Sequence, residues 1–377
     1  MKRMERTESL RDAAREFVLL SCSQTLRQSQ AKTLSVLVCG ALGLVRGTLI
    51  GLAVCLAQHG LASTVKGALK RVWRFVDNDA VEVHKAIAPV WQRLLKKRRK
   101  KLLIALDWTD IQGFKVLVAA ACIKGRAIWL VWKSVPKSGL NLNMSRMEQE
   151  LLLTLKGMLP PGLKVIILAD RGFFKTRLFA FCQKHNLHYV IRIKPDFNVQ
   201  AKRYRGNLLD LPVAPGMQRF WKNVVCGSKP KVTLNLVIYY QRNLPQKRDE
   251  PWFLATDLSA RPGQLVSLYG KRMQIEQCFR DTKSLRNGLA LRHCLIKLPE
   301  RLDRWLLILM LAYLLVCGLG LWALRHLHPR YWGGSSRKNE CSIYTAGSRL
   351  IASFQVCLDQ ILQMLAAALR EASPKWG

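Results

Sequence analysis

The chain has 377 residues, half of them hydrophobic, enough for two or three domains with a large buried core; such a composition excludes a disordered chain. Lysine and arginine number 61 against 24 acidic residues, a formal charge of +37, far beyond what solubility needs. That excess implies a polyanionic partner, nucleic acid most simply or else an anionic membrane surface. The eleven cysteines stand singly, without a C-x-x-C pair or zinc-finger spacing, in apolar runs such as VLVCGAL and LLVCGLG. They read as reduced core residues of a reducing compartment. The start, MKRMERTESLRDAAREF, is too charged for a secretory signal.

Residues 1–95 read as helical. In TVKGALKRVWRFVDN, Lys66, Lys70, Arg71 and Arg74 recur at helical spacing opposite Val65, Leu69 and Val72. These cations form either a solvated face or a helix laid on DNA. KKRRKK (96–101) marks a domain boundary; it reads as a phosphate-contacting linker, a solvated segment or a localisation signal. The period then changes. LLIALDWTDI (102–111), KVLVAAACI (115–123) and AIWLVWKSV (127–135) are strand-like runs joined by short turns. A helix over 145–158, the strand KVIILAD (164–170), the helix KTRLFAFCQKHN and the strand HYVIRIKP (188–195) follow. Hairpin-linked strands that then alternate with helices predict a mixed sheet covered by helices. Residues 196–250 are basic and turn-rich around one clear strand, VTLNLVIYY, and WFLATDL is a further strand.

Two carboxylates end apolar strands: Asp107 in LLIALD and Asp170 in VIILAD. The rim of a sheet is a poor place for core packing and a good one for a site. Asp110, on the other strand face, competes with Asp107, and Asp196 with Asp170; each aspartate alone also suits a turn or cap. YGKRMQIEQCFRDTKS (269–284) is predicted as one helix. At roughly 100° per residue from Tyr269, Arg272, Glu276 and Lys283 fall at roughly 300°, 340° and 320°, one narrow stripe beside Leu268, Ile275 and Phe279. Glu276 thus joins the aspartates from a third element. Three carboxylates suit Mg²⁺, and two such ions could clamp the attacking and leaving oxygens of a phosphoryl transfer. The seven histidines show no metal spacing, and His293 reads as structural or DNA-contacting. WLLILMLAYLLVCGLGLWAL (305–324) is long enough to cross a bilayer, but arginines flank both ends. The soluble α/β pattern around it favours a core helix. GGSSRKNECSIYTAGS (333–348) reads as a loop before a last helix over 349–371.

Tyr269, Arg272, Glu276 and Lys283, at these intervals, resemble the Tyr-Arg-Glu-Lys signature of bacterial insertion-sequence transposases of family 4. LDWTDI and LADRGF resemble that family's two aspartate strands. EPWFLATDL and GLALRH look close to the subgroup of the transposon-ten transposase, and the likeness covers most of residues 60–325. The resemblance implies an RNase H-like α/β catalytic domain, a mixed sheet with flanking helices, over 96–330. A β-rich insertion near 196–258 interrupts it, a helical DNA-end-binding domain (1–95) precedes it, and a helical segment (331–377) that would help pair two subunits follows. It implies cut-and-paste transposition through hairpin ends, by a homodimer acting on terminal inverted repeats and target DNA in the bacterial cytoplasm, at the nucleoid. Asp107, Asp170 and Glu276 would hold two Mg²⁺ (or Mn²⁺) ions. Tyr269, Arg272 and Lys283 would hold the terminal phosphate and nearby strand. Trp252 would stack on a flipped base, or is a core tryptophan. Lys70, Arg71 and Arg74 lie where the family's end-binding region is loosely matched. Where some relatives carry a second tryptophan, this chain has Met273. The rival readings are a nuclease of the same fold that does not join strands, a basic membrane protein spanning at 305–324, and a non-catalytic DNA-binding descendant.

Overall fold

The computed structural model describes residues 8–44, 46–95, 101–138, 143–227, 229–242, 250–285, 289–332, 341–352 and 355–374. Lys96–Lys100 of the basic run and residues 333–340 of the expected loop lie outside these. A two-residue strand, β1 (Glu8–Ser9), precedes five helices: α1 (Leu10–Cys22), α2 (Gln28–Ala41), α3 (Leu49–Gln58), α4 (Val65–Val76) and α5 (Val83–Leu95). Capping oxygens fix three of their starts: Ser9 accepts from the Asp12 N–H, Thr48 from Gly51 and Thr64 from Gly67.

The next stretch follows the predicted order. β2 (Lys101–Ile111), β3 (Phe114–Cys122) and β4 (Ala127–Pro136) form an antiparallel meander. Then come α6 (Met144–Met158), β5 (Lys164–Ala169), α7 (Thr176–Lys184) and β6 (His188–Arg192). β5 runs parallel to both β2 and β6. These three strands are buried on both faces, hence the unbroken apolar runs in place of alternation.

The basic stretch after β6 holds more strand than its sequence suggests. β7 (Asn198–Ala201), β8 (Tyr204–Asn207) and β9 (Gln218–Cys226) join β10 (Val232–Tyr239) and β11 (Trp252–Thr256). They extend the existing sheet rather than forming a separate one: β11 pairs antiparallel with β6, giving the order β4-β3-β2-β5-β6-β11-β10-β9-β7-β8.

The expected helix over 269–284 is two helices, α8 (Pro262–Gly270) and α9 (Met273–Lys283). At the joint the amides of Lys271, Arg272, Gln274 and Ile275 bond to carbonyls three residues back instead of four. That tightens the turn and breaks the single angular ruler. Gly270, a weak helix former, ends α8. The four-residue stripe is therefore not one helix face; only Glu276 and Lys283, seven residues apart on α9, share a face by periodicity.

α10 (Pro299–His326) contains the long apolar run. In its most apolar window 94% of residues are buried, packed against α2, α4, α5, β4 and the C-terminal helices. The segment read as a loop before a last helix also divides differently: α11 (Ile343–Leu350), β12 (Gln355–Val356, paired with β1) and α12 (Leu358–Ala372). Ser342 starts α11 by accepting from the Thr345 N–H. Gly320 of α10 and Gly347 of α11 let the two backbones touch, because a Cβ at either would strike the carbonyl of Ile343 or Val316. All eleven cysteines are unpaired and nine are buried, Cys55 and Cys341 being half-buried.

Candidate active site

The parallel pairing sets the centre of the site. Leu106, Ala169 and Ile191 stand in one row across β2, β5 and β6. The next residues, Asp107, Asp170 and Arg192, therefore stand side by side where β5 and β6 end; β2 does not end at Asp107 as expected but runs on to Ile111, still paired with β3. Asp170 caps a short 3-10 turn, accepting the Gly172 N–H at 2.8 Å, so it is the cap residue that its sequence position also suited. Asp107 Oδ1 accepts the Trp108 N–H at 2.8 Å.

The joint between α8 and α9 brings the third carboxylate. Arg272, whose side chain is 12% exposed, extends Nη2 to Glu276 Oε1 at 2.7 Å and Nη1 toward Asp107 Oδ2 at 3.6 Å. Burial pushes the Asp107 carboxyl up to about 6; the Arg272 guanidinium opposes that shift, while Asp170 and then Glu276 add to it. Asp107 thus feels both other carboxylates, and the Arg272 guanidinium is the counter-ion it shares with Glu276.

Tyr269, at the end of α8, is buried; desolvation raises its phenol, against the nearby charges of Arg272 and Arg192. Trp252 stands edge-on to the Tyr269 ring at 5.4 Å and under the Arg192 guanidinium at 5.6 Å. Half-buried, it flanks the site and does not sit in the deep core. Burial lowers the Lys283 ammonium, as does Arg292, while the Asp110 and Asp107 charges support it. Met273 is 48% exposed beside Arg272.

The competing aspartates stand apart. Asp110 pairs with Lys115 at 3.1 Å and Lys137 at 3.5 Å on the surface, and Asp196 is exposed between β6 and β7. On α4, Lys70, Arg71 and Arg74 are exposed around Trp73; Arg71 caps the Leu61 carbonyl at 3.0 Å. Both earlier readings of that face stand. His293 is exposed.

Sequence reasoning missed two parts. Arg192 is one: its signal was a lone cation ending a buried strand beside LAD. The other is a brace behind the aspartates. Glu148 of α6, 1% exposed, accepts from Lys175 Nζ with both oxygens at 2.9 Å and faces Trp108 Nε1 at 3.4 Å. Trp108 follows Asp107 and Lys175 follows the Asp170 turn, so one buried carboxylate ties both segments. Helical spacing with Leu151, Leu152 and Leu155 already placed Glu148 on the buried face of its helix.

Among the described residues, no three acidic, histidine or cysteine side chains are close enough to form a metal-binding group. The donor chemistry nevertheless fits a hard divalent cation: carboxylate oxygens, with Asp107 raised to about 6 first by burial and further by the charges of Asp170 and Glu276. Arg272 lies where the set would have to close.

Residues 142–315 match the transposase DDE domain family, which supports a DDE-type transposase. The matched segment contains Asp170 and Glu276, and Asp107 precedes it. No curated protein matches the chain.

Proposed function

We propose that the chain is a cut-and-paste transposase of insertion-sequence family 4, with Asp107, Asp170 and Glu276 as its catalytic carboxylates. The observation that carries the reading is the row of Asp107, Asp170 and Arg192 across three parallel strands, with Arg272 joining Glu276 to it. The strand order β4-β3-β2-β5-β6, with β3 antiparallel between β2 and β4, is the arrangement expected of an RNase H-like sheet. The strands β7 to β11 are then the β-rich insertion before the glutamate helix.

Two Mg²⁺ or Mn²⁺ ions held by the three carboxylates would supply the activation of the attacking oxygen and the charge neutralisation at the leaving oxygen. The chain's own residues do the rest. Arg272 presents a planar fork that suits a phosphate as well as it suits Glu276. Tyr269 donates a hydroxyl from a buried position, and Lys283 adds a point charge. Trp252, held edge-on by Tyr269 and under Arg192, offers its remaining face to a base displaced near a hairpin. The exposed cations of α4 would contact the terminal inverted repeats, and two chains would bring two ends together in the bacterial cytoplasm.

The test is cleavage of labelled DNA carrying the element's own ends, with Mg²⁺, by wild type, Asp107→Asn and Glu276→Gln. Metal-dependent release of a hairpin-ended fragment, lost in both variants with end binding kept, is the expected result. Cutting without end preference would replace the reading with a nuclease, and cutting that survives Glu276→Gln would remove that residue from the site.

A further inference from the structure

Beyond Glu276, on the far part of α9, lies a cleft of about 870 Å³. Its walls carry Arg126, Arg280, Arg292, His293 and the Thr345 hydroxyl of α11, and Glu276 and Lys283 of the carboxylate site line it too, so the cleft opens onto that site. Arg280, Lys283 and Arg292 make no carboxylate ion pair among the described residues, although carboxylates pair other cations nearby, as Asp110 does Lys115. Lys283 is half-buried beside Arg292, a like-charge contact that costs free energy without a ligand. Arg126 is the exception that builds the floor. Its Nε donates to Asp281 at 2.6 Å, and Asp281 also accepts from the buried Tyr313 hydroxyl at 2.9 Å. That network pins α9 to the β3–β4 turn and to α10, so the cations project from a rigid wall.

The chemistry of this wall differs from that of the opposite side. Around Tyr269 the site offers aromatic faces and a buried guanidinium fork, suited to one particular DNA end. In the cleft the one phenyl ring among the lining residues, Phe279, is 8% exposed and packs edge-on against Trp129 at 5.9 Å. Away from Glu276 and the paired Asp281, the polar groups left are mainly the Arg280 and Arg292 guanidiniums and the hydroxyls of Ser342 and Thr345, which suit phosphates rather than base edges.

We propose that this cleft holds the phosphate backbone of the target DNA, entering the carboxylate site from the side opposite the element's own end. The inference rests on the strand-transfer reading above: two DNA molecules must reach one set of carboxylates, and the site has two differently built cationic flanks.

The experiment compares wild type with Arg280→Ala/Arg292→Ala and with Arg280→Lys/Arg292→Lys, the two replaced side chains being exposed. Three quantities are read: excision of the labelled element, joining to a plasmid target, and the salt slope of plasmid binding. The alanine pair should excise normally and lose joining, while the lysine pair retains both. The slope of log affinity against log salt should flatten by about 0.9 for each phosphate contact removed. Loss of excision together with joining would assign the cleft to the donor end and overturn the proposal. Unchanged joining and slope would reduce these arginines to solvated surface and overturn it too. If wild type excises nothing, the transposase reading fails, and the plasmid slope still decides whether the cleft binds DNA backbone.

Discussion

Replacing Arg272 with methionine removes the one cation that lies between two of the carboxylates while keeping the volume and the apolar stem. In the metal-free protein Asp107 is already strained by its own burial: a carboxyl raised from 3.8 to about 6 costs about 3 kcal/mol of stability when forced to ionise at pH 8. The sign is that of a raised acid. The folded state holds the proton better, so this stability is complete below the unfolded value and lost as pH rises through about 6. Arg272 offsets part of that loss through its 3.6 Å approach to Asp107 and its 2.7 Å bond to Glu276. A hydrogen bond to a charged group contributes about 1.5–3 kcal/mol, less where a partner is as exposed as Glu276. Arg272→Met should therefore destabilise by about 2–3 kcal/mol at pH 8 and by clearly less at pH 5, where Asp107 is protonated. Urea unfolding at the two pH values measures this. Millimolar Mg²⁺ should restore stability at pH 8, by about 2.7 kcal/mol at a hundredfold excess over its dissociation constant, and should do little at pH 5. An equal loss at both pH values, with no recovery in Mg²⁺, would show that Arg272 acts by packing and would refute its role as counter-ion to a metal-binding set.

Other elements yield sharper structural tests. Glu148→Gln should cost about 1–3 kcal/mol in urea unfolding, since Lys175 loses a buried partner but can still reach water, and should weaken Mg²⁺-induced stabilisation because both aspartate segments loosen. Mg²⁺ stabilisation equal to wild type would reduce Glu148 to a simple core contact. Gly347→Ala forces a Cβ onto the Val316 carbonyl, and α10 and α11 must separate; a loss of about 1–3 kcal/mol or more is expected by thermal melting. An unshifted melting temperature would mean that the two helices do not touch there. Asp303 sits 7% exposed with its carboxyl raised to about 7, chiefly by burial and against the Ser134 N–H that it accepts at 3.0 Å. Its stability contribution is present below pH 4 and lost as pH rises through about 7. Asp303→Asn, which keeps the acceptor, should be the more stable protein at pH 8; a variant less stable at every pH would contradict this.

The sequence revealed some parts of this site clearly and others only in outline, and the difference is physical. Asp107 and Asp170 stood out because each closes an apolar run; either alone would also suit a turn or cap, and it is the parallel pairing of β2 and β5 that sets them side by side. Arg192 rides on the same row, yet a lone cation at a strand end has many uses, and only the register of β5 against β6 separates them. The stripe from Tyr269 to Lys283 shows the opposite case. Its residues do converge, but not for the reason the periodicity supplied. A tightened joint after Gly270, where amides bond three residues back, lets Tyr269 and Glu276 approach Arg272 from two helices. Periodicity assumes one helix and cannot see a joint of helical φ and ψ. The strands β7, β8 and β9 escaped for another reason: they lie near the sheet's outer edge with mostly half-exposed side chains, so neither an apolar run nor a clean alternation marks them. The buried ties Glu148–Lys175 and Asp281–Arg126 join residues 27 and 155 positions apart, and no local pattern foretells such partners. Those ties support the segments that carry Asp107, Asp170 and Glu276, so the candidate carboxylates were easier to read than the residues that aim them.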